Sequence, residues 1–296
     1  LENIKRLAWN DLKKNIVITG VSSGIGRDAL RLMHQKGYHI YGSVRKEADA
    51  KSLTEAYPQR FTPLIFDVMD QNAVNQAAEV VFKTCDRIDA LINNAGIAVP
   101  GPLQFVKESD FEKQMDIDLK SVRRITNTFL PLLGTSPDFK GTPGRIINIS
   151  SISGLFSSPF NGAYSISKHA LESMTDVYRR ELRRYGIKVL AIEPGPIKTN
   201  IWSKNIKSMA QFADTDYYDI LQKADKMIEN SEKNALPVTR TSNVILKCIT
   251  KKHPKTRYIV HKNAFMFKVV ANYLPDKLVD WFIQRSLTKG NRHRPV

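Results

Sequence analysis

The chain has 296 residues, 42% of them hydrophobic and 25% charged, the proportions of a folded globular protein with a sizeable core. With 15 glycines and two cysteines, Cys85 and Cys248, collagen-like and disulfide-scaffold chains are excluded, and the apolar content excludes a largely disordered one. Lys and Arg number 45 against 29 Asp and Glu, a net charge of +16.

Short β-branched runs alternate along the chain with helix-like polar/apolar stretches. The runs are Asn15–Thr19, Tyr38–Val44, Pro63–Phe66, Ala90–Ile92, Arg145–Ile149, Lys188–Ile192 and Arg257–Val260. Several are apolar on both faces, as parallel strands covered by helices on both sides must be. This alternation predicts βαβ units and an α/β fold with a doubly wound parallel sheet. Ligands bind such sheets beyond the carboxyl ends of the strands, so functional motifs should follow directly after the runs.

After the first run comes Thr19-Gly20-Val21-Ser22-Ser23-Gly24-Ile25-Gly26, leading into a helix-like Arg27–Lys36. Gly20 permits a tight turn, Gly24 lets the backbone approach a pyrophosphate, and Gly26 allows close helix packing. The helix amino terminus then presents free N–H groups to the phosphates. The second run ends at Arg45 with Lys46 next to it, and no acid precedes Glu47. An acid at this place would bind the ribose hydroxyls of NAD, whereas a guanidinium suits a 2′-phosphate, so the expected cofactor is NADP(H). Asp67-Val68 closes the third run; Asp67 is placed either to accept from an adenine amino group or to cap the next helix.

Asn93-Asn94-Ala95-Gly96 follows the fourth run and Asn148-Ile149-Ser150-Ser151-Ile152-Ser153-Gly154 ends the fifth. Tyr164-Ser165-Ile166-Ser167-Lys168 comes next; on a helix, positions four apart share a face, so Tyr164 and Lys168 enter one cleft. A free tyrosine has a pKa of about 10, too high for a base at neutral pH. A nearby lysine ammonium and a cationic nicotinamide are expected to lower it, so that the tyrosine exchanges a proton with an alcohol/ketone pair while hydride moves. Ser151 at the strand tip would hold the carbonyl oxygen. The sixth run is followed by Pro194-Gly195-Pro196-Ile197-Lys198-Thr199.

The ordered set TGVSSGIG, NNAG, Ser151, YSISK and PGPIKT, spread over about residues 14–200, resembles the short-chain dehydrogenase/reductase family, and His253-Pro254-Lys255-Thr256-Arg257-Tyr258 with the long tail resembles its retinol- and steroid-dehydrogenase-like branch, which also takes lipid ketones. The resemblance implies a single Rossmann domain with about seven strands and a nicotinamide cofactor. Ser151, Tyr164 and Lys168 would be the catalytic set, with Lys168 also holding the nicotinamide ribose. Asn94, Ala95 and Gly96 would line the cofactor, Pro194 and Gly195 would turn the chain beside it, and Ile197 and Thr199 would meet the carboxamide. The family usually has an Asn in the helix after the fourth strand, its backbone carbonyl joining a water relay to the lysine; here that position is Asp118. Asp118 is thus either part of the proton path, where its carboxylate favours a charged lysine, or a helix-surface acid.

By the same resemblance residues 200–236 form a substrate lid. Ile201, Trp202, Met209, Phe212, Tyr217, Tyr218, Ile220, Leu221 and Met227 would either wall a long apolar pocket or pack the lid onto the sheet. Positions 247–296 hold twelve Lys and Arg against Asp276 and Asp280 alone. Within the extension 262–296, Pro275-Asp276 opens a helix in which Leu278, Val279, Trp281, Phe282 and Ile283 sit between Lys277 and Arg285. Such a cationic amphipathic segment suits a membrane surface, a cleft cap or a dimer contact.

The expected activity is NADP(H)-dependent interconversion of a hydrophobic alcohol and its ketone or aldehyde, of steroid, retinoid or lipid type. The alternatives are a reductase of acyl-carrier-bound 3-ketones and a non-enzymatic NADP-sensing scaffold. The expected partners are a small hydrophobic substrate and further copies of the chain, as a homodimer or homotetramer through the helices around Phe111–Leu133 and Ala163–Tyr185. Peripheral membrane contact through the basic end is a further candidate. No nucleic-acid partner and no metal site are expected, because the six histidines are scattered and no HExxH or CxxC occurs. Two cysteines and no run of about 18 apolar residues point to a cytoplasmic chain, with peripheral membrane association as the variant.

Overall fold

The computed structural model describes residues 14–199, 201, 211–218, 220–221 and 233–288. Seven parallel strands form one sheet: β1 Asn15–Ile18, β2 His39–Val44, β3 Phe61–Ile65, β4 Ala90–Asn93, β5 Arg145–Ile149, β6 Lys188–Pro194 and β7 Arg257–Val260. Their order is β3-β2-β1-β4-β5-β6-β7, so the winding reverses between β1 and β4. Ligands of doubly wound sheets bind at such a reversal. Pro63 lies inside β3, which a proline tolerates because that strand is the sheet edge.

Side-chain alternation along the strands divides the core in two. Ile16 and Ile18 join Leu30 and Met33 of α1 (Gly24–Gln35) on one face, with Ile245 and Cys248 from the helix at Val238–Thr250. Val17 points to the other face, among Val74 and Val81 of Gln71–Thr84 and Ile125 and Phe129 of Ser121–Leu130. These residues are buried almost completely, which accounts for the two-sided apolar character of the runs.

Two departures from regular geometry position the site. Between the helices Glu108–Met115 and Ser121–Leu130 lies a single π-helical turn, Asp116–Lys120. It interrupts the i, i+4 pattern where the chain passes the active-site helix Gly162–Glu181. Below the site, Asn93 donates to Asn148 at 2.8 Å and to Thr126 at 3.1 Å, and Asn148 donates to Thr175 at 2.8 Å. All four are buried, so these amides and hydroxyls find partners in one another and lock β4 and β5 to two helices.

At the carboxyl end, helices Ala264–Tyr273 and Asp276–Thr288 lie outside the sheet. They carry Phe265, Met266, Tyr273, Leu278, Trp281 and Phe282 in exposed positions.

Candidate active site

The phosphate loop forms at the reversal between β1 and β4. Gly20 has φ +72°, and its N–H donates to the Ser43 hydroxyl at 3.0 Å. A Cβ at Gly26 would collide with the Gly20 carbonyl and the Asn94 amide, so only glycine allows α1 to start this close to the strand. Ser23 is the N-cap without a side-chain cap bond, and no acidic residue lies in the first helical turn. Exposed Ser22 and Ser23 with half-buried Gly24 and Ile25 leave the amino-terminal N–H groups facing outward, beside a groove that Gly24, Arg27 and Lys198 line. These features fit a dinucleotide pyrophosphate.

Arg45 is exposed just beyond β2. Asp67 is half-buried and Val68 buried; the Asp67 carboxylate accepts from the Met69 N–H at 2.9 Å. The capping alternative for Asp67 is corrected here, because Asp70 caps the next helix and accepts from Asn72 and Ala73. Asn94 donates to the Thr19 and Gly20 carbonyls, and the Asn94 and Ala95 N–H groups both donate to the Thr19 hydroxyl at 2.9 Å. Pro194 ends β6. The His261 ring packs against Gly195, and a Cβ on Gly24 would lie 3.3 Å from the Thr199 methyl, so the segment after β6 comes close to the phosphate loop. Ile197 is buried and forms an isolated parallel bridge with Leu236.

Ser151, Tyr164 and Lys168 come together, all buried, with exposures of 7%, 6% and 5%. Ser151 follows β5 and its hydroxyl accepts from the Ser153 N–H. Tyr164 and Lys168 share one face of their helix, and the Lys168 ammonium lies 5.5 Å from the Tyr164 ring centre. Lys168 Nζ donates to the Ile149 carbonyl at 3.2 Å and pairs with Asp118 Oδ2 at 2.9 Å. Asp118 is 1% exposed, and its Oδ1 accepts from the Ile97 N–H at 2.9 Å. It is a buried partner of the lysine and not a surface acid.

The protonation of the tyrosine also departs from the simple expectation. Burial pushes the Tyr164 phenol above its ordinary value; Lys168 and a hydrogen bond with Ser151 pull it down, and Asp118 pushes it up. The balance in the protein alone is upward. Lys168 is held above the usual lysine range, because Asp118 and Tyr164 outweigh the cost of burial. Burial likewise pushes Asp118 upward, against the pull of Lys168.

Sequence reasoning missed Thr19 and Gln114. Gln114 is fully buried, accepts from the Val99 N–H at 2.8 Å, and donates to the Ile97 carbonyl and to Ser167. Its position four residues before Asp118 was the available signal. In the segment after β6, Phe212 and Leu221 are buried, with Phe160 and Tyr217 packed around them. Trp202, Met209 and Met227 lie outside the described residues, as does the chain end beyond 288. Among the described residues, both cysteines are free thiols, no group of His, Cys, Asp and Glu is arranged for a metal, and no helix is long and apolar enough to cross a membrane.

The short chain dehydrogenase family model matches residues 14–210. The NADPH-dependent 3-dehydrocapnine reductase of Ornithobacterium rhinotracheale is 40% identical over 275 residues, covering 92% of this chain and 97% of that protein. The 3-ketodihydrosphingosine reductase of Bacteroides thetaiotaomicron is 30% identical over 270 residues, covering 91% and 96%. The solved structure of ElxO with NADP bound superposes with a TM-score of 0.68 at 26% identity, covering 84% of this chain and 96% of that one. The phosphate loop, the parallel sheet and the Ser-Tyr-Lys cluster thus have their counterpart in a known group of enzymes: the chain belongs to the short chain dehydrogenase family of oxidoreductases.

Proposed function

We propose that the chain is an NADPH-dependent reductase of a long-chain lipid ketone carrying its carbonyl at carbon 3. The observation that carries this reading is the buried Ser151–Tyr164–Lys168 cluster at the carboxyl ends of β4 and β5, beside a phosphate loop flanked by Arg45. The two relatives at 40% and 30% identity, named for a 3-dehydro and a 3-keto substrate, support the substrate class. NADPH, when bound, supplies the hydride. Arg45 grips its 2′-phosphate, and the amino terminus of α1 holds the pyrophosphate. Ser151 donates a hydrogen bond to the substrate carbonyl oxygen, and Tyr164 delivers the proton to that oxygen as the alcohol forms. Lys168 orients the ribose and supports the phenolate left behind. Tyr164→Phe should leave NADPH binding intact and lower ketone reduction by at least about a thousandfold; retained turnover in stopped-flow NADPH oxidation removes Tyr164 from the role.

Exposed Phe265, Met266, Tyr273, Trp281 and Phe282 on the two carboxyl-terminal helices, with Lys262, Lys277 and Arg285 among them, support a second element of the reading: this end docks on an anionic lipid surface. Phe267 of the first of these helices stacks edge-on against Phe156, five residues beyond Ser151, so the surface adjoins the substrate mouth. Half-exposed Ile166 and Val177 support association of copies through the helix Gly162–Glu181.

A further inference from the structure

Asp118 stands where the family usually places an asparagine whose side chain carries no charge. Its carboxylate is enclosed on every side. Oδ1 takes the Ile97 N–H at 2.9 Å, and Oδ2 takes the Lys168 ammonium at 2.9 Å. The loop Asn94–Gly96 lies over it, so that a Cβ on Gly96 would sit 3.3 and 3.4 Å from the two oxygens. The π-helical turn Asp116–Lys120 brings the residue to this point. Lys168 is thereby pinned between the carboxylate and the Ile149 carbonyl. The groups facing Lys168 are Asp118, Tyr164 and Glu172; those facing Tyr164 are Lys168, Asp118 and the Ser151 hydroxyl. Asp118 also faces the neutral Gln114 amide.

A lone ammonium beside a phenol favours the phenolate, which is the form that accepts a proton from an alcohol. An ammonium already paired with a buried carboxylate exerts a much smaller field at the ring. We propose that Asp118 is a positioning residue that fixes Lys168 and cancels much of its positive field at Tyr164, making the site a proton donor suited to carbonyl reduction at neutral pH. This rests on Tyr164 being the acid/base group. In reduction, hydride reaches the carbonyl carbon and the Tyr164 proton reaches the oxygen; in oxidation both move the other way, and the tyrosine must first be ionised. Asp118 therefore keeps Tyr164 protonated, the form that reduction uses, to higher pH, and moves to higher pH the point at which the ionised form used by oxidation accumulates. The upward balance of the phenol, to which the carboxylate contributes, agrees with this.

The test is Asp118→Asn, which keeps the size of the side chain and its acceptor for Ile97 and removes the charge. Ultraviolet titration of phenolate in the protein without cofactor, with the spectrum of Tyr164→Phe subtracted, isolates Tyr164. We expect it to ionise at lower pH in Asp118→Asn than in the wild type. The pH profile of alcohol oxidation with NADP⁺ should move to lower pH, by the equivalent of about a three- to tenfold change in proton concentration. An unmoved titration and an unmoved pH profile of oxidation, with only a lower Tm, make Asp118 a structural residue and overturn the inference. Should Asp118→Asn fail to fold, the wild-type titration decides: ionisation of Tyr164 in the neutral range contradicts a cancelled field, and ionisation only at strongly alkaline pH upholds it. If Tyr164→Phe itself keeps turnover, the acid/base reading fails; if it is inactive and Asp118→Asn leaves the titration unmoved, only the present inference does.

Discussion

At the level of single residues, the proposed NADPH preference turns on Arg45. It stands exposed beyond β2, and in a doubly wound sheet that place meets the 2′ position of the adenosine ribose. A charge-assisted bidentate pair with phosphate contributes about 1.5–3 kcal/mol. Arg45→Asp should weaken NADPH roughly 10- to 100-fold while sparing or improving NADH; titration of both cofactors by fluorescence checks it, and an unchanged preference rejects the assignment. Such candidates stand out in the sequence by short local patterns: Arg45 at a strand end, and Tyr164 and Lys168 four apart, which the fold places buried on one helix. Asp118 was legible as a departure but not in its role. Its partners Ile97 and Lys168 belong to other elements, and only the packing of the π-helical turn against the active-site helix brings the charges together.

At the scale of elements, β6, β7 and the helix Gly162–Glu181 meet around a partly buried charge cluster that no motif announces. Arg257 on β7 pairs with Glu172 at 2.9 Å, Asp176 at 3.0 Å and Glu193 at 3.4 Å. One guanidinium serves three carboxylates, and Glu193 is the most buried, at 1% exposure, and the farthest from Arg257. Burial and the neighbouring Glu172 push it up to about 8 from 4.5. A carboxyl whose pKa is raised by folding binds more protons folded than unfolded between those two values. Stability therefore falls as pH rises from about 4.5 to about 8, by an amount on the order of a few kcal/mol, and is flat beyond. Glu193→Gln should flatten this decline and raise Tm at pH 8 by a few degrees, measured by calorimetry across the range. A wild-type decline left intact in the variant would show that Glu193 is ionised in the fold. Because Glu193 directly precedes Pro194-Gly195, the same cluster fixes the segment that comes close to the phosphate loop.

For the whole molecule, the order of strands and their two-sided burial follow from runs whose ends the structure moves by only one or two residues. Asn15–Thr19 becomes Asn15–Ile18, and Pro63–Phe66 becomes Phe61–Ile65. Parallel strands are legible because their apolar runs are continuous and each is closed by a turn motif. The segment after β6 was less so: an apolar stretch reads alike whether it walls a pocket or packs inward, and the small cluster of Phe212 and Leu221 with Phe160 and Tyr217 fits either. The excess of charge at the carboxyl end bears on where the molecule works. The protein should cosediment with vesicles containing anionic phospholipid and not with purely zwitterionic ones, and Phe265→Ser with Trp281→Ser should reduce that binding about tenfold or more. Self-association lost in the same variant, with no vesicle binding by the wild type, would make this face a contact between copies. The central claim is tested most directly by following NADPH oxidation at neutral pH with a long-chain 3-ketone, a short-chain ketone and NADH as the parallel donor. Turnover of the long-chain 3-ketone with NADPH, and little with the other combinations, is the expected result; tight NADPH binding with no turnover of any free ketone would contradict it.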